Sequence, residues 1–382
     1  MKKQGLFAQI MGVCLLATLL SCGGNAVSEE PVVAKNVQKE GEQAPKLKEI
    51  RRIAQEPSWG EDVMIQDVLI GTPQRYYLGD SRAIRILAVD KNGKLLHSFL
   101  KKGQGPGEFQ WIRTIQKLGN TLWVSGGRKL DSFSMDGVLK SETHFRHYYY
   151  DLKMMDDSRF VGFRIETEGV AINGPRLKRA GLWDLKEKRL KSFRTSDKIG
   201  VFEFKNDKMY LTISFGGVVM PDLSLAADPA KKRIYICETD IYRIYVLNME
   251  GKLIQTIERR VEPAVLTDKG KDEIAGDYSM NGVDLNEIRR QLKKKLPDTL
   301  CPVASLQVTP DGYLIVERPV KYGTNELDMF SPTGEFLATL QNPKDIDLSG
   351  ATFLSHDRFA LVNDKGDSPV VTEYRWIQPE RK

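Results

Sequence analysis

Two stretches of the chain carry residue types able to do chemistry. THFRHYYYD (143–151) holds His144 and His147, two of the four histidines in the sequence, with Arg146 and Tyr148, Tyr149 and Tyr150 around them. Two imidazoles three residues apart could ligate a metal. No Cys-x-x-Cys, His-Glu-x-x-His or neighbouring acidic cluster completes such a site, so neither a metal nor another cofactor is expected. Aromatic rings beside an arginine could instead stack on a sugar or hold an acidic ligand, whereas a purely structural reading has Tyr148–Tyr150 open a strand and fill a core. The second stretch, KKGQGPGEF (101–109), has the glycine spacing of a phosphate cradle in Gly103, Gly105 and Gly107. A cradle of that kind needs Gly-Lys-Ser/Thr or a further glycine leading into a helix. Here Glu108 and Phe109 lead into a strand-like run and Pro106 has no backbone N–H to offer, so the loop reads as architecture.

A third segment, VDLNEIRRQLKKKLP (283–297), has the pattern of a short helix. Asp284 is placed to cap it, Glu287 stands at the reciprocal capping position and Pro297 stops it. Leu285, Ile288, Leu292 and Leu296 fall on one face, and Arg289, Arg290 and Lys293–Lys295 crowd the rest. Such a helix is a lid, a basic contact to anionic lipid or glycan, or a solvated face docked by its leucines. The remaining chemistry is sparse. There is no Gly-x-Ser-x-Gly elbow and no zinc signature, NDKGD (363–367) lacks the full ligand spacing of a calcium loop, and no catalytic residue is assigned.

These segments are positioned by a repeat. AVDKNGKLLHSF (88–99), FSMDGVLKSET (133–143), LWDLKEKRLKSF (182–193), VLNMEGKLIQTI (246–257) and MFSPTGEFLATL (329–340) each read as strand, polar turn, strand. Gly93, Gly137, Gly251 and Gly334 supply the positive backbone angle that a tight turn needs. Upstream of each lies a turn and a short strand of bulky residues, as in LGNTLWVSG, DPAKKRIYICE and TPDGYLIVE. Units of three or four strands recurring in this way are the grammar of a β-propeller blade. Six such middle strands but only five outer hairpins are found, because the last unit ends at SPVVTEYRW. The strand-like LKEIRRIAQ near the N-terminus can supply the missing outer strand and close the ring. FEFKNDKMYLTISF (202–215) fits as an insertion or as part of a seventh blade, and six blades are preferred. The expected fold is therefore an all-β, six-bladed propeller of four-stranded antiparallel blades over 47–382, with one helical insertion at about 259–302.

The start of the chain is different in kind. Lys2 and Lys3 precede an apolar run, Leu6–Leu20, too short to span a bilayer, and Leu19-Leu20-Ser21-Cys22 matches a lipobox. Residues 1–21 read as a lipoprotein signal, Cys22 as the lipidated residue, and 22–46 as a polar, flexible tether. Gly23 after the cysteine favours the outer membrane. Removing Lys2 and Lys3 lowers the formal charge from +6 to +4, too weak a bias to argue for nucleic acid. In an oxidising envelope Cys237 and Cys301 could pair.

The Gly103–Phe109 string, the lipobox and the Asp-x-x-Gly-x-Leu-like hairpins resemble the TolB-like six-bladed β-propeller lipoproteins of Gram-negative anaerobes. The resemblance covers nearly all of the mature chain. Gly103–Phe109 is its most specific piece, since the hairpins alone would fit many propellers, including NHL-type ones. It implies a fold and an envelope location and carries over no catalytic residues. Connections from one blade to the next should open on one face, so KKGQGPGEF, the His144–Tyr150 segment and the 259–302 insertion are expected there together. His144, Arg146, His147, Tyr148, Arg289 and Arg290 are the candidate ligand-binding residues. Two functions remain open: a monomeric, membrane-anchored binding or scaffold module for an envelope protein, peptide or glycan, and a propeller enzyme of lactonase, lyase or glycoside hydrolase type with its site in the channel.

Overall fold

Six four-stranded antiparallel sheets form the molecule, each ordered from an inner first strand to an outer fourth. The computed structural model describes residues 46–377, apart from 73, 168–175, 198–200, 206–209, 215, 277–285, 342–347, 349–350 and 364–368. Blade 1 comprises Ile65–Thr72, Arg75–Asp80, Arg85–Asp90 and Leu95–Phe99. Blade 2 comprises Thr114–Leu118, Thr121–Gly126, Lys129–Ser134 and Leu139–His144. Blade 3 runs through Tyr150–Met154, Arg159–Thr167, Arg176–Asp184 and Arg189–Ser196. Blade 4 runs through Leu223–Asp228, Arg233–Glu238, Arg243–Asn248 and Leu253–Glu258. Blade 5 has Ser305–Val308, Leu314–Lys321, Thr324–Phe330 and Phe336–Leu340. Blade 6 has Thr352–Ser355, Arg358–Asn363 and Val370–Ile377, and takes its outer strand from Lys46–Ala54. The ring is thus closed by the N-terminal strand.

The sequence forms this ring because its second strands are apolar on both sides. Successive side chains of a strand point to opposite faces, and here each face meets a neighbouring blade. Leu78 therefore packs into the gap between blades 6 and 1, and Tyr77 into the gap between blades 1 and 2. Ile234 and Ile236 face blade 3, whereas Tyr235 and Cys237 face blade 5. Each of the six gaps holds its own apolar core.

The turns between third and fourth strands repeat at atomic detail. Asp90, Ser134, Asp184, Asn248 and Ser331 each accept, through the side chain, the backbone N–H groups two and four residues on. The residue three on has a positive φ in every case: Gly93 (93°), Gly137 (80°), Glu187 (62°), Gly251 (76°) and Gly334 (84°). Each of the four glycines rests on the outer strand of the preceding blade or the segment that follows it. Gly137 meets Phe99, Gly251 meets Phe193, Gly334 meets Gln255, and Gly93 meets Ile53 and Trp59. The hairpins are therefore clamps between blades as well as turns.

Three expectations are corrected or completed. At 202–215, the strands Val201–Lys205 and Tyr210–Ser214 pair as a separate two-stranded sheet, which among the described residues pairs with no blade; it is an insertion between blades 3 and 4. Among its described residues the 259–302 insertion holds two helices where one was expected, α2 (Asp268–Gly276) and α3 (Asn286–Lys295), and a single turn, α1 (Gly216–Val219), precedes blade 4. Cys237 and Cys301 are both buried, and no disulfide joins them. Cys237 is held in the gap between blades 4 and 5, and burial pushes its thiol well up. Cys22, Asp284, Leu285 and residues 364–367 of NDKGD lie outside the described residues.

Candidate functional site

KKGQGPGEF joins blade 1 to blade 2 and spends its polar groups on itself. Lys101–Lys102 and Glu108–Phe109 pair as a short parallel ladder. The Glu108 carboxylate accepts the N–H groups of Gln104 (3.1 Å) and Gly105 (2.9 Å), the donors a phosphate would need. The Gly105 amide first, and then Lys101 at 3.1 Å, hold that carboxyl below its usual range. Gly103 has no room for a Cβ beside the Glu108 carboxylate, and Gly107 has φ 68°. Pro106 is exposed at the tip, while Phe109 is sunk into the gap between blades 1 and 2. Beneath the loop, Lys129 donates to the carbonyls of Gly105 (2.7 Å) and Glu108 (3.0 Å) and pairs with Glu142 at 2.6 Å. Asp131 is fully buried 3.4 Å from the same ammonium, and burial pushes its carboxyl up to about 6 against the pull of Lys129.

The connection from blade 2 to blade 3 is held by one carboxylate. Glu187 accepts the backbone N–H groups of Arg146 (2.7 Å) and His147 (3.1 Å) and meets His147 Nδ1 at 3.0 Å. It occupies the turn position that is glycine in the other four hairpins, so its backbone strain is retained for what its side chain grips. His144 pairs with Glu142 at 2.8 Å. The two histidines thus face two different carboxylates, and among the described residues no group of three or more His, Cys, Asp or Glu side chains is placed to hold a metal. Replacing Glu187 with alanine keeps the strain and loses the grip, which is expected to cost about 1–2 kcal/mol. Glycine at the same position should recover about half of that loss by relaxing the turn. In both variants amide exchange at Arg146 and His147 should accelerate, measurable by hydrogen–deuterium exchange.

Tyr148–Tyr150 divide between the two readings of the sequence. Tyr149 is 3% exposed and packs edge-on against Phe145, Phe160 and Trp183 in the gap between blades 2 and 3. Its neighbours alternate away from that core. The Arg128 guanidinium lies 5.0 Å over the ring of Tyr148, and that of Arg113 lies 4.8 Å over the ring of Tyr150. Trp111, 45% exposed, lies against Gly127, where a Cβ would stand 2.6 Å from its ring. Arg113, Arg128 and Arg146 are all exposed, and none meets a carboxylate among the described residues. Trp111, Arg113, Arg128 and Glu187 were missed from the sequence. The one signal for Glu187 was the absence of glycine from the LKEKRL turn.

Arg289 and Arg290 are on another connection. Their helix, α3, is on the connection from blade 4 to blade 5, and it docks through Ile288, Leu292 and Leu296 against Leu266, Ile274 and Val219. Its cations largely meet acids of the same insertion: Arg290 pairs with Glu287 and Lys293 with Asp272, each at 2.6 Å. The Cys301 N–H donates to the Val218 carbonyl at 2.9 Å, tying this insertion to α1.

The first strands spend their polar side chains on neighbouring blades. Asp67 accepts the Ile115 N–H at 2.8 Å, Gln116 brackets the backbone of Met154, Ser224 accepts the Leu306 N–H, and Gln307 donates to the Ala351 carbonyl. These side chains satisfy backbone groups that no sheet partner reaches. Burial pushes the Asp67 carboxyl up to about 6, against the Ile115 amide and Lys153.

Comparison with known proteins supports the architecture alone. A Bacteroides fragilis protein described as exported is similar over 90% of this chain and 99% of its own, with TM-score 0.52 and 9% identity. A member of the DUF4221 family from Bacteroides vulgatus is similar over 88% of this chain and 99% of its own, with TM-score 0.51 and 10% identity. No protein-family model and no curated protein matches the sequence. The fold is shared; the sequences are far apart.

Proposed function

We propose that this protein is a lipid-anchored cell-envelope protein whose propeller is a non-catalytic binding or scaffold module for an envelope protein, peptide or glycan. The observation that carries the reading is where polar chemistry is left unspent. Several first-strand side chains, the GPGEF loop and the charges of α3 are engaged within the protein, whereas Arg113, Arg128 and Arg146 stand exposed beside Trp111 and Tyr148. Aromatic rings and arginines on a rigid scaffold are the residues that dominate binding surfaces.

The lipobox, with Cys22 as its lipidated residue, supports anchoring at the outer membrane, and the resemblance to TolB-like propeller lipoproteins supports the same location. A tether spanning 22–46 can reach at most about 85 Å from the membrane, by the length of an extended chain. The protein acts as a monomer, and neither nucleic acid nor a cofactor is part of the reading. The test is retention of isolated envelope glycans and purified envelope proteins by the full-length protein and by its Trp111→Ala/Tyr148→Ala variant. Retention by the parent that is lost in the variant supports a binding surface here. Retention of nothing, or equal retention by both, overturns it.

A further inference from the structure

We infer that the surface formed by Trp111, Arg113, Arg128, Arg146 and Tyr148 binds an acidic saccharide, a sugar chain bearing carboxylates. This deepens the binding-module reading and rests on it. Three observations converge. The surface is contiguous, because Trp111 lies against Gly127, Arg128 follows Gly127 and lies over the Tyr148 ring, Arg113, two residues after Trp111, lies over the Tyr150 ring, and Arg146 precedes Tyr148 by two residues. It is pre-positioned: the Arg113 N–H donates to the Ser125 carbonyl (2.7 Å), the Phe145 N–H donates to the Arg128 carbonyl (2.7 Å), and Glu187 fixes the backbone of Arg146 and His147. Its charge is unspent, since Arg113, Arg128 and Arg146 have no carboxylate partner among the described residues, while most arginines in the blades do.

The chemistry of the ligand follows. A guanidinium held over a ring has N–H groups left to offer a ligand, and its fork matches a planar carboxylate. Two such forks, one over the ring of Tyr148 and one over that of Tyr150, suit a repeating acid rather than a single anion. A half-exposed Trp111 offers an apolar face of the kind that packs on a sugar ring. An acidic peptide would use the forks and not the ring, which sets the saccharide ahead of it.

The test uses the full-length protein in detergent with oligogalacturonate as probe, a neutral oligosaccharide of the same length as control, and poly-glutamate as the competing class. Oligogalacturonate is expected to bind, and more weakly as salt rises. Arg113→Ala and Arg128→Ala should each weaken it by roughly tenfold or more, as should Trp111→Ala. Arg128→Lys, which keeps the charge and loses the planar fork, should recover only part of the loss. All three positions are exposed, and circular dichroism would report any loss of fold. No preference for the uronate over the neutral sugar overturns the proposal, as does binding that the variants leave unchanged. Poly-glutamate bound as tightly as the uronate, and insensitive to Trp111→Ala, would assign the surface to an acidic peptide. Neutral sugar bound through Trp111 with no part for the arginines would sink the acidic ligand and keep the binding module.

Discussion

Asp328→Ala is expected to destabilise the protein by about 3–5 kcal/mol, among the largest effects of any single substitution in the chain. Asp328 lies in the third strand of blade 5 and is 0% exposed. Its carboxylate accepts from Tyr242 (2.8 Å) and Thr339 (2.7 Å), meets Arg318 Nε at 3.3 Å and pairs directly with Arg259. Tyr242 comes from blade 4 and Arg259 directly follows its outer strand, so one acid ties blade 4 to blade 5. The Arg259 side chain is 6% exposed and also lies 4.2 Å over the ring of Phe336. Removing the carboxylate leaves that cation in the interior without its acid and leaves the Tyr242 hydroxyl, whose pKa burial and the same carboxylate hold well above the usual range, without its acceptor. The cost comes mainly from what is left behind, so Asp328→Ala combined with Arg259→Met should recover part of the loss. Asp328→Asn, which keeps one acceptor oxygen, should fall between. Denaturant unfolding measures all three, and a loss below about 1 kcal/mol for alanine would mean that Arg259 finds water or another acid when the pair is broken.

Asp328 also marks where the sequence stops being legible. The blade pattern could be read because it is local: DPAKKRIYICE and TPDGYLIVE carry a turn and a strand buried on both faces within a dozen residues. Closure by LKEIRRIAQ followed from counting strands. The helix at 286–295 was marked by its leucines, which now pack with Leu266, Ile274 and Val219. Partners remote in sequence left no trace of that kind. Nothing in the string connects Arg259 to Asp328, Glu187 to the amides of Arg146 and His147, or Arg128 to Tyr148. The candidate site suffered most from this, because its residues lie on different connections that the ring alone brings together. Arg289 and Arg290 looked as available as Arg113 and Arg128 in sequence. Folding engages Arg290 with Glu287 and leaves the other two to tyrosine rings.

A chain that begins at residue 56 is expected not to form a stable monomer, whereas one that begins at residue 45 should. The strand Lys46–Ala54 pairs along its length with Val370–Ile377, from Lys46 opposite Ile377 to Ala54 opposite Val370. Without it the third strand of blade 6 becomes an open edge. Ile53, 1% exposed in the gap between blades 6 and 1, is lost, and so is Leu47 from the gap between blades 5 and 6. Losing Ile53 alone compares with a buried truncation of about 2–5 kcal/mol, and the ladder and Leu47 add to it. Arg51 goes as well, leaving Glu373, 1% exposed, with Arg358 and Tyr76 in place of three partners. The sum approaches the whole net stability of a folded domain, about 5–15 kcal/mol. Size-exclusion chromatography and near-ultraviolet circular dichroism should therefore report aggregation and lost packing for the shorter chain. A synthetic peptide of residues 45–56 supplied in excess should restore both, because the missing strand carries its own register in Leu47, Arg51 and Ile53. If the shorter chain instead keeps its near-ultraviolet signal and melts within a few degrees of the longer one, the six first strands and their polar ties hold the ring without a closing strand. The domain would then be complete without Lys46–Ala54. Under the expected result, the N-terminal strand is itself the last strand of the fold.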